Sequence, residues 1–236
     1  MDFTDYPRPS LAVDPAVLSI IDGELRTALW RRTWEPFAGA WALPGVFVGE
    51  GESLEQAASR GILEKVGISA SYLEQLFTWN VPDRDERGWV VTVAYFAIVA
   101  PDDFSGLLSG QSSAFKIEPN GRDPETLGID VVNSTGSVVS LAFDHTDILI
   151  SVVDRLRDNV WRSDIALRFL PERFTLRALQ SVYEAILGRP LNKDSFRRRV
   201  VQTQELVVQT GTLEDNVSHR PAELYARSPN YGTSGA

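Results

Sequence analysis

The chain has 236 residues, 43% of them hydrophobic, with a formal net charge of −9, which indicates a globular protein of one large domain or two small ones. It contains no cysteine and two histidines, so disulfides, thiolate metal sites and histidine-rich metal centres are excluded. No apolar run approaches the roughly 20 residues that span a bilayer and the acidic N-terminus is unlike a signal peptide, so we expect a cytoplasmic protein without membrane contacts.

The first part of the chain predicts strands that alternate with helices. Predicted strands cover residues 15–21, 25–31, 73–79, 89–99 and 138–143, with extended chain at 41–48. Asp22-Gly23, between the first two strands, is a strong hairpin signal. Helices are predicted from Ser53 to near Val66 and from Asp144 to about Val160, whereas 101–128 is predicted to be irregular. This order predicts an α/β (α+β) class, with an α/β/α sandwich around a mixed sheet.

The chain then changes character. A short helical segment at 165–170 precedes a helix that Thr175 caps and that carries apolar residues at helical spacing up to Gly188. A second helix is predicted from Asn192 or Lys193 to about Thr203, followed by hairpin strands at 205–210 and 222–226. This pattern is typical of a winged helix-turn-helix. We therefore predict a first domain at 11–160, a DNA-binding domain at 162–227 and a disordered tail at 228–236.

Charge divides along the same line. Residues 1–161 carry 12 Lys and Arg against 24 Asp and Glu, whereas residues 162–236 carry 11 against 8. A polyanion such as DNA would be repelled by the first part and attracted by the second.

The second helix of a helix-turn-helix enters the major groove, where arginine pairs with guanine or with phosphate. Here this helix is strongly basic, and Arg220 lies in the predicted wing. The predicted DNA-binding residues are Lys193, Ser195, Arg197, Arg198, Arg199 and Arg220. The alternative is that these arginines only form a solvated helix face.

Residues 46–68 resemble the Nudix box, G-x5-E-x7-R-E-U-x-E-E-x-G-U with U aliphatic. Residues that match are Glu52, Arg60, Ile62, Glu64, Gly67 and Ile68. Val46 stands where the opening glycine belongs, one residue after Gly45. Gly61 and Lys65 replace the first and last glutamates of the three-carboxylate cluster. Without this match, the stretch would be an ordinary amphipathic helix capped by Ser53.

The intact motif places its glutamates at helical positions i, i+3 and i+4, on one face toward Mg²⁺ or Mn²⁺. Such ions neutralise phosphate oxygens and activate water in pyrophosphate hydrolysis. Here that face offers Gly61, Glu64 and Lys65, and the lysine brings a positive charge to the expected metal position. We therefore predict a non-catalytic Nudix homologue that requires no metal, with Glu52 and Glu64 as the remaining candidate ligands of Mg²⁺.

Both halves together resemble the NrtR-type regulators of NAD metabolism, in which a Nudix-like domain precedes a winged helix. The resemblance covers about residues 11–227 and is carried by segments 36–45, 82–88, 141–145, 170–176, 182–188, 196–199 and 220–225. It implies a homodimeric repressor on a palindromic operator in double-stranded DNA, near genes of NAD synthesis or salvage. It also implies that ADP-ribose or a related NAD metabolite binds the Nudix-like domain and alters DNA affinity.

A sensor has to bind its effector without destroying it, and a Nudix box that lacks metal carboxylates fits that need. We predict that Arg84 and Arg87 pair with the diphosphate and that Trp41 or Phe37 stacks on adenine. The predicted ligand-binding residues are Phe37, Trp41, Gly45, Arg60, Glu64, Lys65, Arg84 and Arg87. Internal salt bridges and core packing are the alternative roles. His145 is interpreted as a helix-start histidine rather than a catalytic base.

Two other functions compete with the repressor. An ADP-ribose pyrophosphatase would release AMP with Mg²⁺ and would lose that activity on Glu64→Gln substitution. A nucleotide-binding module that uses its winged helix only for dimerisation would tolerate replacement of Arg197 and Arg198.

Overall fold

The structure is a computed structural model that describes residues 5–105, 111–121, 128–203, 206–215, 218 and 220–229. The chain divides into two compact units, residues 1–154 and 155–236. The predicted domain boundary at residues 160–162 lies close to this division. Within the described ranges, no helix is both long and apolar enough to cross a membrane.

The first unit is built on an eight-stranded sheet. Its strands are β1 (Ser10–Ile21), β2 (Glu24–Arg31), β3 (Trp41–Ala42), β4 (Val46–Phe47), β5 (Tyr72–Trp79), β6 (Val90–Ile98), β7 (Ser112–Asn120) and β8 (Gly128–Val132). The order is β5-β6-β1-β2-β7-β8, with β3 beside β2 and β4 beside β1. Because β1 and β6 are parallel and the other pairs antiparallel, the predicted mixed-sheet α/β class is confirmed.

The hairpin between β1 and β2 forms where the sequence predicts it. Asp22 and Gly23 have φ angles of 54° and 76°, and Ile21 pairs with Glu24 across them. A two-residue hairpin turn with positive φ at both positions favours Asp-Gly, which is the reason for the prediction. Strand β6 is buried along nearly its whole length, as its continuous apolar sequence indicates.

Three helices belong wholly or partly to this unit: α1 (Leu54–Val66), α2 (Pro101–Ser105) and α3 (His145–Asn159). Helix α1 packs against the sheet, where Ile62 and Val66 join Val17, Ala28 and Ala97 in a buried cluster. Full burial of one such aliphatic side chain contributes about 1.5–3 kcal/mol, so this face anchors α1. The anchored helix positions the motif residues described below.

Two predictions for this unit are wrong. Residues 101–128 are not irregular throughout, because they contain α2 and the long strand β7, which is held by pairing with β2 and β8. Residues 138–143 are not a strand, since only isolated bridges link Leu141 to Trp41 and Val138 to Val132. The place beside β7 is taken instead by β8, which the sequence analysis did not identify.

The second unit is a helix-turn-helix followed by a wing, as predicted. Its elements are a 3-10 turn (Ile165–Phe169), β9 (Phe174–Thr175), α4 (Leu176–Leu187), α5 (Lys193–Arg197), a π-helical stretch (Arg198–Thr203), β10 (Val207–Leu213) and β11 (Glu223–Arg227). Two details differ from the prediction. The second helix changes geometry after Arg197, and β9 adds a third strand beside β11. Two residues are too few for a period-2 pattern, so β9 leaves no sequence signal.

The core of this unit follows the predicted apolar stripe of α4, in which Leu179, Val182, Tyr183 and Ile186 are buried. The Tyr183 ring lies 5.2 Å from the ring of Phe196 on α5, which joins the two helices. The predicted tail begins too early. Ser228 is buried and its backbone N–H donates to the Leu206 carbonyl at 2.9 Å, while residues 230–236 lie outside the described residues.

Candidate functional site

Helix α1 has defined ends that fix the register of its motif residues. The Ser53 side chain accepts a hydrogen bond from the Gln56 backbone, and the Gln56 side chain accepts one from the Ser53 backbone, which forms a capping box. At the other end, Gly67 has φ 81° and its N–H donates to the Ile62 and Leu63 carbonyls. Such left-handed helix ends favour glycine, so the closing Gly of the motif has a structural role here.

The Gly61 position has no room for a side chain. A Cβ built there would lie 2.5 Å from the Pro44 carbonyl oxygen and 3.1 Å from a Val46 methyl carbon. Helix α1 therefore packs closely against the segment from Pro44 to Val46. A glutamate at this position would require the helix or the segment to move, so Gly61 does more than remove a carboxylate.

Lys65 directs its ammonium into the same region. The Nζ atom donates a hydrogen bond to the Gly45 carbonyl and lies 4.0 Å from the centroid of the Trp30 ring. Burial lowers the pKa of Lys65 to about 8, against the opposing effect of the Asp14 carboxylate. A cation thus occupies the position where the intact motif has a metal-binding carboxylate.

The remaining motif carboxylates are engaged by Arg60. Its guanidinium makes two hydrogen bonds to Glu52, at 2.8 and 2.9 Å, and a longer contact of 3.4 Å to Glu64. Glu52 also accepts the Gly49 backbone N–H at 2.9 Å. These hydrogen bonds, mainly that from Arg60, lower the pKa of Glu52 to about 2. Arg60 further donates to the Phe47 carbonyl, so it ties β4 to α1.

These residues do not fit a divalent metal. Hard cations need several oxygen ligands, usually carboxylates. Within the described residues, no group of three or more Asp, Glu or His side chains is placed to hold an ion. Gly61 offers no ligand, the Lys65 ammonium repels cations, and Glu52 is already paired with Arg60. Here Arg60 and Glu52 form an ion pair within the protein instead of binding a metal.

A cleft with a cavity volume of about 80 Å³, partly open to solvent, lies beside this helix face. Its lining includes Asp14, Trp30, Arg32, Trp34, Gly45, Phe47, Arg84, Arg87, Phe143 and His145. At its wall, a Cβ on Gly45 would overlap the Asp14 carboxylate, so only glycine allows this close approach. Gly45 therefore shapes the cleft through its backbone.

A buried ion network forms the base of the cleft. Arg84 binds Asp144 with contacts of 2.6 and 2.8 Å and Asp14 at 3.0 Å. Nε2 of His145 lies 3.5 Å from Asp14, while its Nδ1 accepts the Leu43 N–H at 3.0 Å. Burial alone would raise the pKa of Asp14, but His145 and Arg84 hold it well below its usual range. His145 is thus hydrogen-bonded at the start of α3, as the sequence analysis interprets it.

Neither aromatic residue predicted to stack on adenine lines the cleft. The Trp41 ring packs edge-on against Phe115, with centroids 4.9 Å apart, and belongs to the sheet. Phe37 has φ 65° and packs edge-on against Phe143 at 4.8 Å, so it touches a lining residue from outside. Both rings make aromatic contacts within the unit, although Phe37 is 47% exposed, and their predicted role in adenine stacking stays a prediction.

Other aromatic residues flank the cleft instead. Trp34 and Phe47 line the cleft and are 51% and 49% exposed. The Arg87 guanidinium lies 5.9 Å from the Phe47 ring and is 40% exposed, although it pairs with Asp85 at 2.6 Å. Arg32, which the sequence analysis missed, lies 4.7 Å from the Phe143 ring. The sequence signal for these cleft residues is the run Arg31-Arg32-Thr33-Trp34, which combines basic and aromatic side chains at the end of a strand.

The turn between α4 and α5 is fixed by one carboxylate. Glu184 accepts hydrogen bonds from the Gln180 amide and the Leu191 backbone N–H, both at 2.9 Å. Gly188 ends α4 in the left-handed conformation, with φ 66°. Asn192 then caps α5 by accepting the Ser195 N–H at 3.0 Å. These polar contacts, together with the Gly188 conformation, set the angle at which α5 leaves the turn.

Helix α5 buries its apolar side and exposes its basic side. Phe196 is 3% exposed and Val200 fully buried. The predicted DNA-binding residues Lys193, Ser195, Arg197, Arg198, Arg199 and Arg220 are all exposed. The Arg199 guanidinium lies 3.8 Å from the Trp161 ring centroid, so stacking holds it in place. The structure therefore brings five of these six onto one short stretch, and Arg220 precedes β11.

Two sequence models of known families match the chain: the NUDIX domain over residues 12–117, and the NrtR DNA-binding winged helix domain over residues 166–226. A protein of Acinetobacter baylyi, named ADPR responsive transcriptional repressor NtrR, is 36% identical over 226 residues, which are 94% of this chain and 83% of that protein. The chain belongs to the NrtR family.

A solved NrtR structure has the same architecture. The Shewanella oneidensis NrtR, crystallised with a 27mer DNA, is 34% identical, with a TM-score of 0.73 over 93% of this chain and 94% of that chain. A more distant relative, named ADP-ribose pyrophosphatase in Methanocaldococcus jannaschii, is 31% identical over 144 residues, which are 61% of this chain and 73% of that protein.

The predicted ligand-binding residues of this NrtR chain fall into separate groups. Gly45, Arg84 and Arg87 line the cleft, and Lys65 reaches its wall through Gly45 and Trp30. Arg60 and Glu64 lie together on α1 but do not line the cleft. Phe37 and Trp41 pack elsewhere in the unit.

Proposed function

We propose that this chain is a transcriptional repressor whose Nudix-related unit senses ADP-ribose or a related NAD metabolite. A relative named as ADPR responsive covers nearly the whole chain, and an NrtR of the same architecture has been crystallised with DNA. The proposal rests on one combination of features. The described residues form no metal-ligand cluster at the cleft, and the recognition helix exposes its basic side chains. Such a regulator acts where bacterial DNA lies, in the cytoplasm.

DNA recognition is assigned to α5 and the wing. The exposed side chains of Lys193, Arg197 and Arg198 project from the helix that enters the major groove in this fold. We propose that Arg199, which stacks on Trp161, contacts phosphate, and that Arg220 contacts the DNA backbone or the minor groove. We propose a homodimer on a palindromic operator near genes of NAD synthesis or salvage, with half-sites about one DNA turn (~34 Å) apart.

Effector recognition is assigned to the cleft. Trp34 and Phe47 are the exposed ring faces for adenine, and Arg87 is the exposed guanidinium for the diphosphate. Arg84 is only 6% exposed and is paired with both Asp14 and Asp144. We therefore propose that it shapes the site and does not contact the ligand directly. ADP-ribose supplies both an aromatic base and a diphosphate, which matches this combination.

Signal transmission requires the effector and DNA to prefer different arrangements of the protein. Helix α3 begins at His145, beside the cleft, and ends at Asn159, within the second unit of the chain. Asp144, which precedes α3, is held by Arg84. We propose that ligand binding acts on this first turn and that α3 carries the change.

Hydrolysis is the competing function, because one relative is named as an ADP-ribose pyrophosphatase. It would require Mg²⁺ at a helix face where Gly61 offers no ligand and Lys65 is positive. We therefore propose that the unit binds its nucleotide without cleaving it.

The test is an electrophoretic shift of DNA from the region upstream of the protein's own gene and of NAD-biosynthetic genes, with and without ADP-ribose. A sequence-specific shift that ADP-ribose changes supports the regulator. AMP release assayed in the same tube with Mg²⁺ decides the competing function. Absence of any specific shift, together with AMP release that Glu64→Gln abolishes, would replace the repressor with the enzyme.

A further inference from the structure

The face of α1 that carries metal ligands in an intact Nudix box here holds a cation of its own. Lys65 is the last position of the altered carboxylate cluster, and its Nζ donates to the Gly45 carbonyl. Gly45 and Trp30, which Lys65 contacts, both line the cleft. Lys65 does not line the cleft itself, but its ammonium lies directly behind the wall that Gly45 and Trp30 form.

We propose that Lys65 is the fixed cation of the effector site and takes over the diphosphate-neutralising role of the divalent metal, so that the effector binds without metal. This inference rests on the proposed binding of ADP-ribose in the cleft.

Donor chemistry supports this role. An ammonium has three N–H donors, and within the described part of the chain its only hydrogen-bond acceptor is the Gly45 carbonyl. The remaining donors are available to phosphate oxygens, and charge-assisted bonds to phosphate are among the stronger polar contacts. A carbonyl oxygen is also a ligand type that hard cations accept, so Lys65 meets the same backbone group that an ion would meet.

The surrounding contacts hold Lys65 in position. Its Nζ lies 4.0 Å from the Trp30 ring centroid and 5.8 Å from that of Trp34, which favours a cation at this point. Asp14 lies at the base of the same cleft and is already paired with Arg84, so it leaves the lysine charge only partly compensated.

The glycine at position 61 also determines how closely helix α1 packs. Because a Cβ at position 61 would meet the Pro44 carbonyl at 2.5 Å, the helix has closed onto the segment that carries Gly45. This close packing brings the Lys65 side chain within reach of the Gly45 carbonyl. Restoring one glutamate at position 65 would remove the fixed cation without rebuilding the ligand set.

The experiment is calorimetric titration of the full chain with ADP-ribose, in excess EDTA and in Mg²⁺, for the wild type and for Lys65→Met, Lys65→Arg and Lys116→Met. Lys116 lies on β7, is paired with Glu24 and Glu118, and serves as a matched control for the loss of a lysine. We expect wild-type affinity to be the same in EDTA and Mg²⁺. Lys65→Met should lower it about tenfold or more, since tenfold corresponds to ~1.4 kcal/mol, a typical value for one charged hydrogen bond.

The conservative variant separates charge from shape. Lys65→Arg keeps the positive charge and should lose less affinity than Lys65→Met, and Lys116→Met should bind as the wild type does. Inorganic pyrophosphate, titrated in EDTA, should show the same order of variants, because the proposed contact is to the diphosphate. Melting curves recorded beside the titrations show whether each variant is folded.

The outcomes also separate this inference from the proposed function. Wild-type binding that needs Mg²⁺, or Lys65→Met binding that equals the wild type in EDTA, overturns the role of Lys65 and leaves ADP-ribose as the effector. Absence of ADP-ribose binding by the wild type in both buffers overturns the proposed effector itself. If Lys65→Met fails to fold, the EDTA comparison and Lys65→Arg still decide the matter.

Discussion

Helices α1 and α5 both carry cationic side chains, but those of α1 contact other groups of the protein whereas those of α5 face solvent. On α1, Arg60 binds Glu52 and Lys65 donates to the Gly45 carbonyl, so both cations contact groups of the protein itself. On α5, Lys193 and Arg197 are exposed to solvent. A charge held inside a unit organises a small site, whereas a row of exposed charges suits a polyanion. The same residue types therefore serve different tasks according to burial.

The largest effect is expected for Arg84→Met, which removes a buried cation of the first unit. The Arg84 side chain is 6% exposed and bridges Asp14 and Asp144, so its loss leaves two carboxylates poorly compensated. We expect the free energy of unfolding to fall by about 3–5 kcal/mol, as when one partner of a buried ion pair is removed. Urea unfolding measures this effect. Arg26→Met is the control, because Arg26 and its partner Glu24 are 31% and 33% exposed and their pair should contribute at most about 1 kcal/mol.

The second test is Gly61→Glu, which restores the carboxylate of the motif at a position that has no room for a side chain. Overpacking against the Pro44 carbonyl should cost about 3 kcal/mol and lower the melting temperature by about 6–12 °C. Thermal unfolding followed by circular dichroism is the measurement. Ser59→Glu is the matched control, since Ser59 is exposed on the same helix. An unchanged melting temperature for Gly61→Glu would contradict the close packing of α1.

The third test addresses the outward-directed charges. Arg197→Ala should weaken operator binding by about 1–3 kcal/mol, roughly 5- to 150-fold, and should leave the free energy of unfolding within about 0.5 kcal/mol of the wild type. Fluorescence anisotropy with labelled operator measures the affinity. Arg26→Ala removes an equal charge from the first unit and should leave DNA affinity unchanged. Equal losses in both variants would show that net charge, not α5, sets the affinity.

The smallest effect is expected for Glu52→Gln and depends on pH. The pKa of Glu52 in the folded chain is about 2, below its ordinary value of 4.5. Because the folded-state pKa is the lower one, the stabilisation by Glu52 is complete above pH 4.5 and is lost as the pH falls toward 2. The difference in unfolding free energy between wild type and Glu52→Gln should therefore shrink over this interval. Glu64→Gln, the same substitution at a 55% exposed side chain that also contacts Arg60, is the control.

Local signals account for most elements that the sequence analysis found. The Asp22-Gly23 hairpin, the Ser53 and Thr175 caps and the Gly67 and Gly188 helix ends all depend on the conformational preferences of the residues themselves. Elements that depend on a distant partner were missed or wrong. Strand β7 lies among Gly- and Ser-rich flanks and is defined by its pairing with β2, and residues 138–143 have strand-like composition but no continuous partner.

The site divides in the same way. The basic α5 was predicted from its helical spacing, because the exposed side of a short helix follows from which residues are apolar. The roles of Arg84 and Trp41 did not follow from spacing, since Asp14 and Asp144 lie 70 and 60 residues from Arg84 and Phe115 lies on another strand. Similarly, Trp34 and Phe47 become cleft residues only when the β2 end and β4 meet.

The sequence by itself determined the family, the order of the two units and the loss of metal-ligand carboxylates, because each is a matter of residue identity at fixed spacing. Only the tertiary structure decided where each charge goes. Whether a cation meets a carboxylate, a carbonyl or solvent depends on which distant segments pack beside it. That is why Lys65 faces the Gly45 carbonyl and Arg84 is buried, while Arg197 remains exposed.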